Sequence, residues 1–375
     1  MVVAALGLLA AGVWLLADQG WRMPALIAIG GLLGMALYHA AFGFTAAYRR
    51  MIVRREVGAV SAQLVMLAVG TALFAPTLAE GTVFGGRVYG AIAPAGVQVA
   101  VGAFFFGLGM QLGNGCGSGT LFTLGGGSTR MMATLLAFVA GSFWASLHMQ
   151  WWSATPRWPE IALGHEIGWT TAVILQLAVF AAVWWGLRRW GRIDRREGDG
   201  ATGWKRLLRG NWPFLWGALA LALLNWLTLV VAGHAWSITW AFTLWGAKTA
   251  QLVGWDPTGN WFWTGGFTEN ALKGSLLEDT VSVMNAGIVL GALAAAGLAG
   301  RYAPRIDFPL RSLAAAAIGG LLMGYGARIA FGCNIGAFFS GVISTSLHGW
   351  LWIALALPGT WLGVKLRPFF GLSND

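Results

Sequence analysis

GLGMQLGNGCGSGTLF, residues 107–122, and GYGARIAFGCNIGAFF, residues 324–339, are two versions of one unusual pattern. Laid over each other without gaps, Gly107 meets Gly324, Gly109 meets Gly326, Gly115 meets Gly332, Cys116 meets Cys333, Gly119 meets Gly336 and Phe122 meets Phe339. Glycine is abundant in the chain, at 56 residues, so a few such matches carry little weight. Four glycines, a cysteine and a phenylalanine in one ungapped window, holding both cysteines of the 375 residues, point to an internal duplication. A weaker echo pairs Phe44-Thr45 with Phe242-Thr243 at a shorter separation.

Around these runs the chain is 57% apolar and only 10% charged. Soluble domains carry roughly 25% charged residues, so this chain cannot solvate its own surface in water. Apolar stretches recur at 2–17, 23–47, 58–74, 97–112, 131–149, 167–186, 214–232, 281–299, 313–322 and 350–364. Several reach the length of about 20 residues that a bilayer-spanning helix needs. The expected fold is an all-α polytopic membrane protein forming a single transmembrane domain over 1–375. The stretch at 2–17 lacks the basic residues that open a signal peptide, so it is read as a short or tilted membrane helix.

The net charge of +10 is placed as a topology signal. Arginines gather at 49, 50, 54 and 55, at 188, 189, 192, 195, 196, 206 and 209, and at 301, 305 and 311, just beyond apolar stretches. Lys and Arg in short loops mark the cytoplasmic side, and this placement excludes a nucleic-acid partner. The 23 tryptophans fit as interfacial anchors and packing groups. A basic cytoplasmic linker, 188–211, is expected to join halves 1–187 and 212–375. With that linker inside, the charge bias gives the two cysteine units opposite orientations, so the halves are read as a pseudo-symmetric inverted repeat.

Asn114-Gly115-Cys116-Gly117-Ser118-Gly119 cannot be ordinary helix interior, because each glycine costs about 1 kcal/mol there relative to alanine. In a bilayer, non-helical backbone survives only buried in protein or lining a cavity. The run is therefore expected to be a re-entrant loop, with Gly125-Gly126-Gly127-Ser128-Thr129 closing it, and Gly332-Cys333-Asn334-Ile335-Gly336 is its counterpart. Duplicated halves with interrupted helices at matching places mark a secondary transporter whose site lies where the interruptions meet. Backbone N–H groups and helix N-termini aimed at one spot suit an anion.

Cys116 and Cys333 sit at equivalent places, which favours a pathway role over that of small core residues. Two thiols without neighbouring His or carboxylate offer too few ligands for a metal. Their separation is not that of a redox C-x-x-C pair. A neutral thiol can touch a sulfur atom without trapping it. Fixed cations inside or beside apolar stretches, Arg328, Lys248 and Arg130, are further candidates for drawing an anion in, since intramembrane charge is costly. The five histidines are scattered and receive no role. No phosphate loop, dinucleotide fingerprint or nucleophilic triad is present, and neither an enzyme nor a cofactor is implied.

The runs GNGCGSGTLFTLGGGSTR (113–130), WAFTLWGAK (240–248) and GYGARIAFGCNIGAFFSGVISTSLHGW (324–350) resemble the YeeE/YedE family of bacterial inner-membrane proteins, which is associated with thiosulfate uptake. They cover about a seventh of the chain and fall in both halves. The resemblance implies short helices and loops dipping to a central constriction. It implies thiosulfate passing by transient S–H···S contacts, here with Cys116 and Cys333, and a TusA-like cytoplasmic sulfur carrier as companion. Family members often carry a third cysteine in an F-C-F-T motif; here Phe42-Gly43-Phe44-Thr45 has glycine in its place. That departure leaves two alternatives open: a two-thiol relay, or a different sulfur or selenium cargo. A membrane thiol–disulfide protein is the remaining alternative.

Overall fold

Inside a bilayer every backbone N–H and C=O must be satisfied within the protein, and for a chain this apolar the helix does so locally. The computed structural model describes residues 7, 14, 15, 18, 20–194, 202–304 and 308–374. Most of the expected first span at 2–17, with Arg195, Arg196 and Arg305, lies outside them. Among the described residues, eight helical stretches are long and apolar enough to cross a membrane, and the chain is an all-α multi-pass membrane protein.

The main helices are α1 (Arg22–Ala40), α2 (Phe44–Arg54), α3 (Gly58–Glu80), α4 (Val97–Gly113), α5 (Gly117–Gly125), α6 (Arg130–Ser146) and α7 (Trp169–Trp190). Then come α8 (Phe214–Ala232), α9 (Thr239–Leu252), α10 (Gly266–Lys273), α11 (Thr280–Leu298) and α12 (Leu310–Ile329). A π-helical turn, Asn334–Phe339, runs into α13 (Ser340–Ile343), and α14 (Leu347–Leu366) follows. Two short strand pairs, Thr82–Val83 with Gly86–Arg87 and Pro94–Gly96 with Arg157–Glu160, tie interhelical segments together.

The helices pack in reciprocal pairs. α4 lies along α14 and α6 along α12, while α4 and α12 lie on each other. Likewise α1 packs on α11 and α3 on α8, and α1 meets α8. Half of the matched glycines serve these contacts. A Cβ placed on Gly107 would fall 2.1 Å from the Ala356 carbonyl oxygen of α14, and one on Gly324 would fall 2.2 Å from the Phe138 carbonyl oxygen of α6. Small residues let membrane helices approach backbone to backbone, where dispersion rather than the hydrophobic effect holds them. Around that lattice Phe44, Phe106, Phe138, Phe242, Phe339 and Trp352 fill the buried centre.

α7 rests against α3 and leaves its other faces open, with Ile174, Leu175, Trp184 and Trp185 exposed. At its end Arg188 lies over Trp184, 4.7 Å from the ring centroid, and Arg189 over Trp185, at 4.3 Å. Apolar flank followed by Trp–Arg pairs is what the edge of a bilayer selects.

Candidate functional site

Both glycine–cysteine loops break a helix in the same way. α4 ends as Asn114 turns into the left-handed region (φ 64°), and α12 gives way at Phe331, which occupies the matching position with φ 60°. Gly332 follows at φ 150°, a value that suits glycine because it has no Cβ. Cys116 then stands at φ −89°, ψ −166° and Cys333 at φ −102°, ψ −165°, each as the N-cap of a short helix. Each sulfur accepts a backbone N–H of its own short helix, Cys116 from Gly119 and Cys333 from Ile335, both at 3.4 Å. Both thiols are free. Cys116 Sγ also lies 3.4 Å from Ser118 Oγ, where either group can donate, whereas the S–H proton of Cys333 is left to donate outward.

The two short helices converge. A Cβ placed on Gly117 would lie 3.1 Å from the Cys333 sulfur and 3.4 Å from Ile238 Cγ2, so the Cys116 loop faces the second cysteine across a narrow gap. Helix N-termini carry partial positive charge, and here two of them are aimed at one buried region. Cys116 and Cys333 are 1% and 0% exposed, so neither thiol is open to a surface in this state.

Asn334 occupies the repeat position of Gly117. Its side chain is buried beside the Tyr48 hydroxyl, which also lies close to Cys116, and neither group makes a hydrogen bond of full geometry to the rest of the protein. Unpartnered buried polar groups cost roughly 1–3 kcal/mol each, and native proteins keep them where function needs them. Asn334→Leu is therefore expected to leave thermal stability equal to or above wild type while cutting substrate uptake. A thermal melt and an uptake assay on the same preparation check both halves of that statement.

Polar braces hold the second loop. Ser340 Oγ donates to Trp236 O (2.9 Å), Asn225 Nδ2 donates to Ser340 Oγ (3.2 Å), and Trp352 Nε1 donates to Gly332 O (3.2 Å). The first loop is held by cations. Arg130 Nη1 donates to Gly113 O (2.9 Å) and Nη2 to Leu112 O (3.0 Å), and the same guanidinium grips Ser312. Arg130 thus closes the C-terminal end of α4 just before Asn114-Gly115-Cys116.

The other two expected cations have different surroundings. Lys248 Nζ donates to Leu272 O and Gly274 O, both at 2.7 Å, and so caps α10. The Arg328 guanidinium lies over the Phe262 ring, 5.0 Å from its centroid. Neither contact involves a thiol. Arg49, read from sequence as a topology marker, proves to be buried (8% exposed), as is Arg367 (4%), and both reach the end of α4. Tyr48, Arg49 and Arg367 carry no local motif, and only their three-dimensional convergence identifies them.

A cavity of about 530 Å3 opens beside the second loop. It is lined by Ser237, Trp240, Phe267, Glu278 and Asp279 among others, and Ser237 is the residue that a Cβ on Gly336 would touch, at 3.4 Å. Asp279 caps α11 by accepting from Ser282 N (2.8 Å) and also accepts from Trp240 Nε1 (2.9 Å).

A family described as sulphur transport matches residues 39–362, a span that contains both loops, the converging short helices, Arg49 and Arg130. The chain belongs to the sulphur transport family. Among curated members of similar sequence, the probable transporter YedE of Escherichia coli is 34% identical over 161 residues, covering 42% of this chain and 39% of that protein. Its counterpart in Salmonella typhimurium is 32% identical over 154 residues, 40% of this chain and 37% of that protein. The thiosulfate transporter TsuA of Spirochaeta thermophila is 29% identical over 281 residues, 70% of this chain and 74% of that protein. The alignment thus spans about two fifths of the YedE proteins and nearly three quarters of TsuA.

Proposed function

We propose that this sulphur transport family member carries thiosulfate across the bacterial inner membrane, past Cys116 and Cys333. The observation that carries this reading is the pair of short helices, each capped by a cysteine in the same backbone conformation and meeting at a buried gap. Thiosulfate is a dianion with a terminal sulfur. Bringing a dianion into low dielectric is prohibitive without compensation. The two helix N-termini and the amide of Asn334 supply donors for its oxygens, and the S–H groups supply soft, weak partners for its sulfur. Weakness is required, because a carried ligand must leave. The name of the TsuA relative supports the same cargo.

The reciprocal packing supports an inverted repeat of 1–187 and 212–375, with α1, α2, α3, α4, α5 and α6 answered by α8, α9, α11, α12, the 334–343 segment and α14. The loops at Cys116 and Cys333 are then re-entrant from opposite sides and form the central constriction. Gly115, Gly117 and Asn114, with Gly332 and Asn334, line it. Arg130 acts by holding the first loop, Lys248 by holding α10 beside the cavity, and Arg328 stands at the end of α12 that leads into the second loop. The arginine-rich ends face the cytoplasm, near anionic lipid, where a TusA-like carrier would meet emerging sulfur.

Growth on thiosulfate as sole sulfur source, in a host without its own uptake systems, tests the reading. Wild type is expected to support growth, and Cys116→Ala and Cys333→Ala each to lower initial uptake at least about tenfold, which equals about 1.4 kcal/mol of lost stabilisation. Equal uptake by both well-expressed variants and wild type would sink the thiol pathway. A different sulfur or selenium oxyanion is the second reading, and Gly43 favours it. A Cβ there meets nothing within 4 Å, so space exists for the cysteine that relatives place at this position, and its absence is not steric. Competition of labelled thiosulfate uptake by selenium and sulfur oxyanions separates the cargoes.

A further inference from the structure

At the arginine-rich end of α4, two buried guanidiniums converge on one neutral amide and a third binds beside it. Arg49 Nη1 reaches Asn114 Oδ1 at 3.5 Å and Gln111 Oε1 at 3.4 Å. Arg367 Nη1 reaches the same Asn114 oxygen at 3.2 Å and Gln111 O at 2.5 Å. Arg130 binds the adjoining carbonyls of Leu112 and Gly113, and Arg367 lies within electrostatic reach of both Arg49 and Arg130. Among the described residues, the acceptors of these three side chains are carbonyl, amide and hydroxyl oxygens, including Ser373 O for Arg367.

A helix C-terminus is satisfied by one or two cations, and Arg130 and Arg367 between them already hold the last carbonyls of α4. Arg49 is surplus to that task. Its contacts are long, and its Nε is buried with no hydrogen-bond partner. Charge-assisted N–H···O bonds settle at about 2.7–2.9 Å, whereas the Asn114 oxygen holds two guanidiniums at 3.2 and 3.5 Å. The arrangement has the donors and charge for an oxyanion and only an amide oxygen to receive them. Asn114 itself is exposed, so the cluster has a way out to the surface.

We propose that Arg49 and Arg367, with Asn114, form a binding station for tetrahedral dianions such as sulfate and thiosulfate, one step beyond Cys116. Asn114 and Cys116 flank the single residue Gly115, at most about 7 Å of chain, so a dianion can touch the thiol and the guanidiniums in turn. The other loop has no such station: Phe331 stands where Asn114 does, and the cavity beside that loop is lined by Glu278 and Asp279. Arg328, five residues before Cys333, lies over the Phe262 ring instead of beside such an amide. The guanidiniums are recognised by the oxyanion group alone, so the station takes sulfate, which has no terminal sulfur for a thiol. Its part in release rests on the transport reading; binding itself does not. Phosphate headgroups share this chemistry, but guanidiniums only 4–8% exposed within the helix bundle fit a small free ion better.

The test uses purified full-length protein in neutral detergent, titrated with sodium sulfate against sodium chloride of equal ionic strength, with thermal stability as the readout. Saturable stabilisation by sulfate is expected in wild type and in the Cys116→Ala/Cys333→Ala double variant. Arg49→Gln, which removes the least engaged of the three arginines, is expected to weaken apparent sulfate affinity at least tenfold, and Arg49→Lys to recover part of it. Arg367→Gln serves as the second variant where it folds. Sulfate acting no better than chloride, or equally on Arg49→Gln and wild type, overturns the station. Displacement of sulfate by added phosphatidylglycerol overturns its assignment to a free anion. Wild type that binds sulfate yet imports no thiosulfate refutes the transport reading and leaves the station standing.

Discussion

Gly117→Val protein is expected to insert and fold but to import thiosulfate at less than about a hundredth of the wild-type rate, a loss of about 2.7 kcal/mol. The reason is the gap between the loops. The first carbon of any side chain at 117 lands 3.1 Å from the Cys333 sulfur, 3.4 Å from Ile238 Cγ2 and 3.5 Å from Thr239 Cγ2. A single methyl already forces the neighbours to give by a few tenths of an ångström, and valine adds two more carbons on top of it. The atoms displaced are side-chain tips, so the helices need not part. Uptake of labelled thiosulfate into proteoliposomes, with size-exclusion profiles as the folding check, measures the effect. Wild-type uptake by a folded Gly117→Val protein would mean that substrate does not pass between the two loops.

Gly107→Val has the opposite signature, a loss of folded protein. Its new Cβ would sit 2.1 Å from the Ala356 carbonyl oxygen and 2.9 Å from the carbonyl carbon, both backbone atoms of α14. Backbone cannot turn aside as a side chain can, so α4 and α14 must separate along their contact. Overpacking typically costs 1–3 kcal/mol, and a clash between two main chains lies at or above the upper end, about 3 kcal/mol. Gly324→Val is expected to behave alike, because its Cβ would fall 2.2 Å from the Phe138 carbonyl oxygen of α6. The yield of monodisperse protein extracted from membranes, and its melting temperature, report the loss. A Gly107→Val protein as abundant and heat-stable as wild type would contradict the close approach.

These two glycines show how far the amino-acid pattern could be read. Membrane class, helix positions and the pairing of Cys116 with Cys333 all follow from features local in sequence: long apolar runs and one repeated motif. Gly107 and Gly117 belong to the same motif, yet one serves helix packing and the other faces the thiols. The repeat matches Gly107 with Gly324 and Gly117 with Asn334 but does not say what either touches, because that depends on what α14 and the residues around Ile238 bring against each. Arg49 was further out of reach. It stands in a run with Arg50, Arg54 and Arg55 that marks topology, and only the fold shows it turned inward onto Asn114. Lys248 is the converse case: as an intramembrane charge it stood out in sequence, and its ammonium holds two carbonyls at the end of α10. Chain-distant partners decide the task of a charge, and those partners are set by packing.

The crossed packing of α4 with α14, α6 with α12, α1 with α11 and α3 with α8 bears on how anything moves through this protein. A carrier whose halves rock as rigid bodies needs a seam along which they slide. Here the halves are woven through one another, and the strands of the weave touch backbone to backbone. Swinging one half against the other would unpick several such contacts at once. On the proposed transport reading, passage then falls to the narrow gap between Gly117 and the Cys333 sulfur and not to a swing of whole halves. The protein is built less like a hinge than like a fixed frame around a small turnstile.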